Sequence, residues 1–329
     1  AQEAGVSLMT VSRVVNDKGE VSQTTRQRVM DVIERMGYRP SGIARGLATK
    51  RTGTLGLVMP DVANPFFSEV ARGAEHVAYA EGYNVFLCNT EEDPERELAV
   101  LGSLEEKCVD GVVVCSSRLE DAELQAAIAH FPSVVLVNRR LEGDETGTVL
   151  ADDRAGGRLA TRHLLQAGHR ALAFLAGPQA SRSGRQRAMG YRDALAAVSL
   201  AYDPAWIIHC SPTVAGGHST IHALLSLHPE LTGLFCFNDL VAVGALQACA
   251  ELGRSVPDEV AVVGFDDIPL AALVTPPLTT CHVPRYELGA VAVRLLLNQI
   301  DGCPEGCAEV VLKPELVVRA SAPGARTED

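Results

Sequence analysis

From Thr54 onward, short apolar runs alternate with longer stretches whose apolar positions recur at helical spacing. The strand-like runs are Leu55–Met59, Asn84–Leu87, Gly111–Cys115, Val134–Val137, Ala171–Leu175, Trp206–His209, Gly233–Phe237 and Val260–Gly264. Helical patterns lie between them, among them Phe66–Ala80, Arg154–Gln166, Arg185–Ala197, Gly217–Leu227 and Asp239–Leu252. Continuous apolar strands alternating with amphipathic helices predict parallel sheets covered by helices on both faces. The 276 residues from Thr54 exceed one compact domain, so two such lobes are expected.

The first 39 residues read differently, as short helices. Ala4–Asn16 has the pattern of a turn followed by the second helix of a helix-turn-helix. Gly5 permits the turn and Ser7 is a good N-cap. Val6, Val11, Val14 and Val15 can face inward, which leaves Leu8, Met9, Ser12 and Arg13 outward. A further helix opens at Ser22, with Val29, Val32, Ile33 and Met36 on one face and Gly37 ending it. The N-terminal residues of a recognition helix meet base edges in the major groove. Leu8 and Met9 suit thymine methyl groups and Arg13 suits guanine. Thr10, Ser22, Thr24, Thr25 and Arg26 suit phosphates, which position without specifying. The plainer alternative is a small three-helix interaction domain.

Residues 40–53 (PSGIARGLATKRTG) form a Gly-punctuated basic connector. Ser41–Thr49 spans about two helical turns, and isolated helices shorter than ~12 residues are marginal. Gly42 and Gly46 each cost about 1 kcal/mol relative to Ala. Ile43 and Leu47 share one face. The segment is expected to be helical only where something accepts that face, and an apolar wedge in a DNA minor groove is one such use. Arg45, Lys50 and Arg51 add phosphate neutralisation. The alternative is a flexible linker.

Charge sharpens this division. The whole chain carries −12. Residues 1–53 hold nine Lys/Arg against five Asp/Glu, or +4, so the remainder carries −16. A small basic head on a large acidic body points to nucleic acid. No apolar run reaches the ~20 residues that span a bilayer, and no signal-peptide pattern opens the chain, so no membrane partner and a cytoplasmic location are expected. The chain starts at Ala1 rather than Met, so upstream sequence is expected. The nine cysteines are scattered, as buried thiols of a reducing compartment are. Cys303 and Cys307 are the only close pair, and a metal site needs about four ligands. His76, His163, His169 and His209 show no metal spacing. No metal or cofactor is therefore expected. No dinucleotide fingerprint, Walker lysine or nucleophile elbow is present, which argues against an enzyme.

AGVSLMTVSRVVN, VSQTTRQRVMDVIERMGYRPSGIARGLATKRTGTLGLVMPDVANPFF, FNDLVAVGAL and VGFDDIPLA together resemble the lactose/galactose repressor (LacI/GalR) family of bacterial transcription regulators, in order over essentially the whole chain. The resemblance implies an all-α helix-turn-helix headpiece (1–39), a hinge helix or linker (40–53) and an α/β core (54–329) like the two-lobed type I periplasmic binding proteins. In such cores each lobe is discontinuous, here about 54–151 plus 284–311 next to DNA and about 152–283 plus 312–329 beyond. It also implies homodimers on pseudo-palindromic double-stranded operator DNA. The family's first helix begins before Ala1, so a truncated first helix is expected. The short tail after Glu315–Ala320 carries no heptads, which favours a dimer over a tetramer. Ser7, Ser12, Asn16, Tyr38, Arg45 and Leu47 complete the expected DNA-contacting set.

Ligands of open α/β lobes bind where loops leave the carboxyl ends of strands. Those positions here are Asp61–Phe67, Asn138–Arg140, Ser181–Arg187, Asn238-Asp239 and Phe265–Asp267. The resemblance places effector contacts at Arg185, Asn238 and Asp266, with Asn64, Phe66, Phe67 and Arg139 beside them. Carboxylate, amide and guanidinium suit a sugar-like polyol. Plainer roles compete: Phe66 and Trp206 as core, Asn238 or Asp239 as a helix cap, Asp152 or Asp153 as another, and Asp267 with a structural partner. The expected function is a ligand-responsive repressor. The rivals are a transport-type solute-binding protein and a ligand sensor without DNA binding.

Overall fold

The computed structural model describes residues 1–15, 19, 21–38, 51–141 and 146–324. The expectations for Asn16, Arg45, Leu47 and most of the 40–53 connector lie outside the described residues.

At the N-terminus, α1 (Leu8–Val15) and α2 (Gln23–Arg35) pack around Ala4, Val14 and Val29. The Ser7 and Ser22 hydroxyls accept from the Thr10 and Thr25 amides at 3.1 and 3.3 Å, which satisfies donors that a helix start leaves unpaired. Gly5 and Gly37 have φ of +60° and +59°, and each turns the chain where a side chain would strain it. Met36 departs from its expected inward role. It is the C-cap of α2, beyond the last full turn, and is exposed.

Ten strands alternate with helices up to His282: β1 (Thr54–Met59), β2 (Asn84–Asn89), β3 (Gly111–Cys115), β4 (Val134–Val137), β5 (Gly147–Ala151), β6 (Leu172–Leu175), β7 (Ile207–Ile208), β8 (Gly233–Cys236), β9 (Ala261–Asp266) and β10 (Thr279–His282). The intervening helices are α3 (Pro65–Ala80), α4 (Pro94–Glu106), α5 (Asp121–Ile128), α6 (Asp153–Gln166), α7 (Arg182–Ala197), α8 (Val214–Leu227) and α9 (Asp239–Glu251). Then α10 (Arg285–Ile300) leads to β11 (Glu309–Leu312) and β12 (Glu315–Val317). One sheet has the order β11-β5-β4-β3-β1-β2, with every pairing parallel. The other has the order β12-β10-β9-β8-β6-β7, and only β12 runs antiparallel. The chain passes between the sheets three times: after β5, after β10 and after β11. Central strands such as β3 and β4 are buried throughout, whereas the edge strand β2 exposes Phe86 and Leu87. Trp206 ends a short 3-10 turn rather than lying inside a strand. It packs at the margin of the second sheet's core.

Three helix pairs are held unusually close, and each contact uses a glycine from both partners. A Cβ on Gly73 of α3 would lie 2.0 Å from the Tyr286 carbonyl oxygen of α10, and one on Gly289 would lie 1.9 Å from that of Val70. Gly157 and Gly190 do the same between α6 and α7, and Gly217 and Gly244 between α8 and α9. Backbone atoms cannot yield as a side-chain tip can, so a methyl group there must push the helices apart. Gly289→Ala should therefore lower the melting temperature by several degrees. Gly102→Ala, at an exposed helical position with no neighbour within 4 Å, should leave it unchanged or raise it slightly. Calorimetry of the two variants side by side checks this, and equal melting temperatures would remove the close-packing argument.

Candidate functional site

The carboxyl ends of both sheets face one small cavity. Asn64, Phe66, Phe67, Glu92, Ser116, Arg118 and Asn138 come from the first sheet's connections, and Ser181, Ser183, Arg187, Phe237, Asn238 and Asp266 from the second's. The space they enclose is small, about 30 Å³. Of the sequence-predicted effector set, Asn64, Phe66, Phe67, Asn238 and Asp266 meet here.

Arg185 and Arg139 do not. Arg185 is exposed, and its Nη1 donates to the Gln179 and Ala180 carbonyls at 3.2 and 3.1 Å. Arg187 takes the inward place. It lies four residues before Tyr191 and eight before Leu195, on the buried face of α7. Arg139 is buried but turns along its own lobe, donating to the Leu119 carbonyl at 2.8 Å and the Asp121 carboxylate at 2.5 Å.

Arg187 organises the second wall. Its Nε donates to Asp153 Oδ1 at 2.9 Å and its Nη1 to the Phe237 carbonyl. Its guanidinium carbon lies 3.6 Å from the Phe265 ring centroid and 4.9 Å from that of Phe237. The plane of a guanidinium stacks favourably on such rings. Asp153 therefore serves as an ion-pair partner, while Asp152 caps α6 by accepting from the Ala155 amide. Asn238 caps α9, accepting from the Val241 amide at 2.8 Å. Asp239 sits wholly inside, taking hydrogen bonds from Thr280 and the Ile268 amide at 2.5 and 2.8 Å. Asp267 has structural partners in Arg319 and His282.

Asp266 is different. It is buried, its nearest cation is Arg187 Nη2 at 3.8 Å, and no described residue donates a hydrogen bond to it. Its φ of +107° is a strained value for a residue with a side chain. Burial pushes its carboxyl up to about 7, against the pull of Arg187 and Arg285. Burial also holds the Asp239 carboxyl well above its usual range.

The first wall contains residues that sequence reasoning missed. Arg118 is buried, paired through Nε and Nη2 with both carboxylate oxygens of Glu92, and donates from Nη1 to the Ser116 carbonyl at 2.5 Å. Its own amide donates to Glu97 at 2.9 Å. Glu92, Ser116 and Arg118 all follow β2 or β3, and that position is the signal that could have flagged them. Phe66 and Phe67 meet edge to face at 5.1 Å and belong to the core while also lining the cavity. Asn64 caps α3 through Oδ1, which leaves its amide nitrogen for the cavity.

On the head, Leu8 and Met9 stand 80% and 66% exposed at the start of α1, an arrangement with no internal packing reason. Ser12, Arg13, Thr24 and Tyr38 are exposed too, while Thr10 and Arg26 are half-buried. Among the described residues no group of three or more His, Cys, Asp or Glu side chains could hold a metal. None of their helices is long and apolar enough to cross a membrane.

Residues 1–41 match the bacterial regulatory proteins of the lacI family, and residues 52–315 match the periplasmic binding proteins and sugar binding domain of LacI family. The ribose operon repressor of Halalkalibacterium halodurans is 37% identical over the whole of this chain and 97% of its own length. The transcriptional repressor PurR of Aliivibrio fischeri is 35% identical over 98% of this chain and 96% of its own. The lac repressor dimer bound to operator and the anti-inducer ONPF superposes with a TM-score of 0.87 at 27% identity, covering 98% of both chains. The regulator CelR in complex with cellobiose gives 0.76 at 32% identity, again over 98% of both. The chain belongs to the lacI family of bacterial regulatory proteins.

The Asp266 environment has a pH consequence. The folded state holds this proton more tightly than the unfolded chain does. Its contribution is therefore most favourable at acid pH, and is lost as pH rises from about 4 through about 7. Asp266→Asn cannot ionise. It should match the wild type at pH 4 and melt several degrees higher at pH 8, as melting curves across that range would record. A wild type that loses nothing relative to the variant between pH 4 and 8 would contradict the burial argument.

Proposed function

We propose that this chain is a cytoplasmic homodimeric repressor that binds a pseudo-palindromic operator, and that a sugar-like effector held between its lobes sets operator affinity. It acts by binding rather than by catalysis. In this reading residues 1–39 contact DNA and 40–53 connect to the core. The DNA-proximal lobe is about 54–151 plus 284–311, and the distal lobe about 152–283 plus 312–329. One observation carries the effector role: polar groups from both sheets, buried and with hydrogen-bonding capacity unspent, converge on one cavity. Buried polar groups are normally satisfied, so unspent ones concentrated in a cleft imply a partner. The relatives add weight, being a ribose operon repressor, a repressor PurR and a regulator complexed with cellobiose.

The DNA role rests on the exposed apolar pair Leu8 and Met9, on Ser7, Thr10, Ser12, Arg13, Ser22, Thr24, Arg26 and Tyr38 around it, and on the basic head. Each good base contact discriminates by about 1–3 kcal/mol. Replacing Leu8 and Met9 together by Ala should weaken binding to a duplex selected by the protein from a random pool at least tenfold. Binding to a scrambled duplex should change by less than about threefold. Fluorescence anisotropy measures both, and an equal loss on the two duplexes would refute base reading by these residues.

A further inference from the structure

We infer that the effector is an acidic sugar, with a carboxylate or phosphate received by Arg118. The inference rests on the effector site proposed above and names the chemistry it selects.

The cavity holds an excess of hydrogen-bond donors. A guanidinium has five N–H groups. Arg118 spends three of them, two on Glu92 and one on the Ser116 carbonyl. One N–H remains on each terminal nitrogen, and no described residue accepts from either. Arg187 spends two, on Asp153 and the Phe237 carbonyl. Asn64 and Asn138 use their side-chain oxygens, accepting from the Phe66 and Ala151 amides at 2.9 and 3.0 Å. Their NH2 groups are uncommitted among the described residues. The acceptors are fewer. Both Glu92 oxygens are taken by Arg118, so among the lining residues Asp266 is the carboxylate without a hydrogen bond, while the unpaired Glu97 Oε1 and Asp153 Oδ2 lie behind the walls. Ser183, also buried in this wall with no hydrogen-bond partner among the described residues, can play either part.

A neutral polyol brings one proton with every hydroxyl oxygen, so it supplies donors as fast as acceptors. Closing such a ligand into this cavity would bury N–H groups without partners, which is costly. An oxyanion brings acceptors only, and the two uncommitted terminal N–H groups of Arg118 suit it. The Glu92 and Ser116 contacts already fix that guanidinium. Its burial also keeps water from screening the interaction. The remaining hydroxyls of the sugar then face Asp266, the acceptor on the other wall.

The experiment is calorimetric titration of the full chain with matched series: glucose, glucuronate and glucose 6-phosphate, and ribose, ribonate and ribose 5-phosphate. Inorganic phosphate serves as the anion alone. At least one acid should bind tenfold or more tightly than its neutral parent, and the carboxylate and phosphate arms say which oxyanion fits. Arg118→Gln should cost that acid at least tenfold and the parent less than threefold. Arg118→Lys, which keeps the charge without the fork, should retain part of the preference, and it stands in should the Gln variant fail to fold by circular dichroism. A neutral sugar that binds as tightly as its acids, and is lost in Arg187→Met, would overturn the inference while leaving the effector site intact. An acid preference unchanged in both Arg118 variants would overturn it too, as would inorganic phosphate binding as tightly as the sugar acids. No binding by any member of either series would overturn both the inference and the site.

Discussion

A guanidinium cannot shed its proton within the protein, so burying one obliges the fold to build partners around it. Arg187 is that group here, and much of the second sheet's cleft wall follows from it. Asp153 must lie at the start of α6, the Phe237 carbonyl must point inward at the end of β8, and the Phe265 and Phe237 rings must flank the cation. These demands are met only if α6 and α7 approach closely, which Gly157 and Gly190 allow. A Cβ on Gly157 would lie 2.4 Å from the Arg187 carbonyl oxygen itself. The packing of two helices and the electrostatics of the site are thus one constraint. With Nε and Nη1 of Arg187 committed to Asp153 and Phe237, its Nη2 stops 3.8 Å from Asp266, and no described residue hydrogen-bonds that carboxylate.

The cleft belongs to both lobes. Arg118, Asn64 and Asn138 form one side, Arg187, Asn238 and Asp266 the other, and the space between is about 30 Å³. That is less room than a sugar occupies, so a sugar bound as proposed would need the lobes to part on entry and would favour their closing around it. Three chain passages join the sheets, and two adjoin partners of cleft residues: Asp153, which pairs with Arg187, follows the first, and Arg285, whose charge lowers the Asp266 carboxyl, follows the second. A ligand that favours one lobe arrangement over another shifts their populations by its differential affinity, typically about 1–3 kcal/mol for coupled sites. The connector leading to the head starts from the lobe that carries Arg118, so this is the route by which the cleft would reach operator DNA.

The architecture was legible where burial is simple. Continuous apolar runs gave β1, β3, β4, β6, β8 and β9 nearly to the residue, because a strand covered on both faces has no polar position to blur it. β5, β10 and β11 were harder. Thr148, Thr279 and Thr280 break their apolar pattern, and Glu309 opens an edge strand. In the head, Ser7, Ser22, Gly5 and Gly37 marked the turns because caps and positive φ depend on local chemistry alone. Site residues were legible in part. Asn64, Asn238 and Asp266 sit at strand ends, which connection order reveals. Arg185 and Arg187 differ only in helical phase, and the apolar spacing to Tyr191 and Leu195 would have separated them. Arg118 also follows a strand end, but its pairing with Glu92 needed the fold itself, since Glu92 is 26 residues earlier and meets it only because β2 and β3 flank β1.

The central claim is that effector binding is read in the cleft between the lobes. Hydrogen exchange of the intact protein, with and without a saturating sugar or sugar acid that raises its melting temperature, tests this most directly. The account predicts slowed exchange at the amides of Phe66 and Phe67, Arg118, Ser183 to Arg187 and Val241, on both walls at once. Protection confined to one wall, or to a surface far from the cleft, such as the groove that Arg51, Asp110, His130 and Ser133 line before β3 and β4, would contradict it.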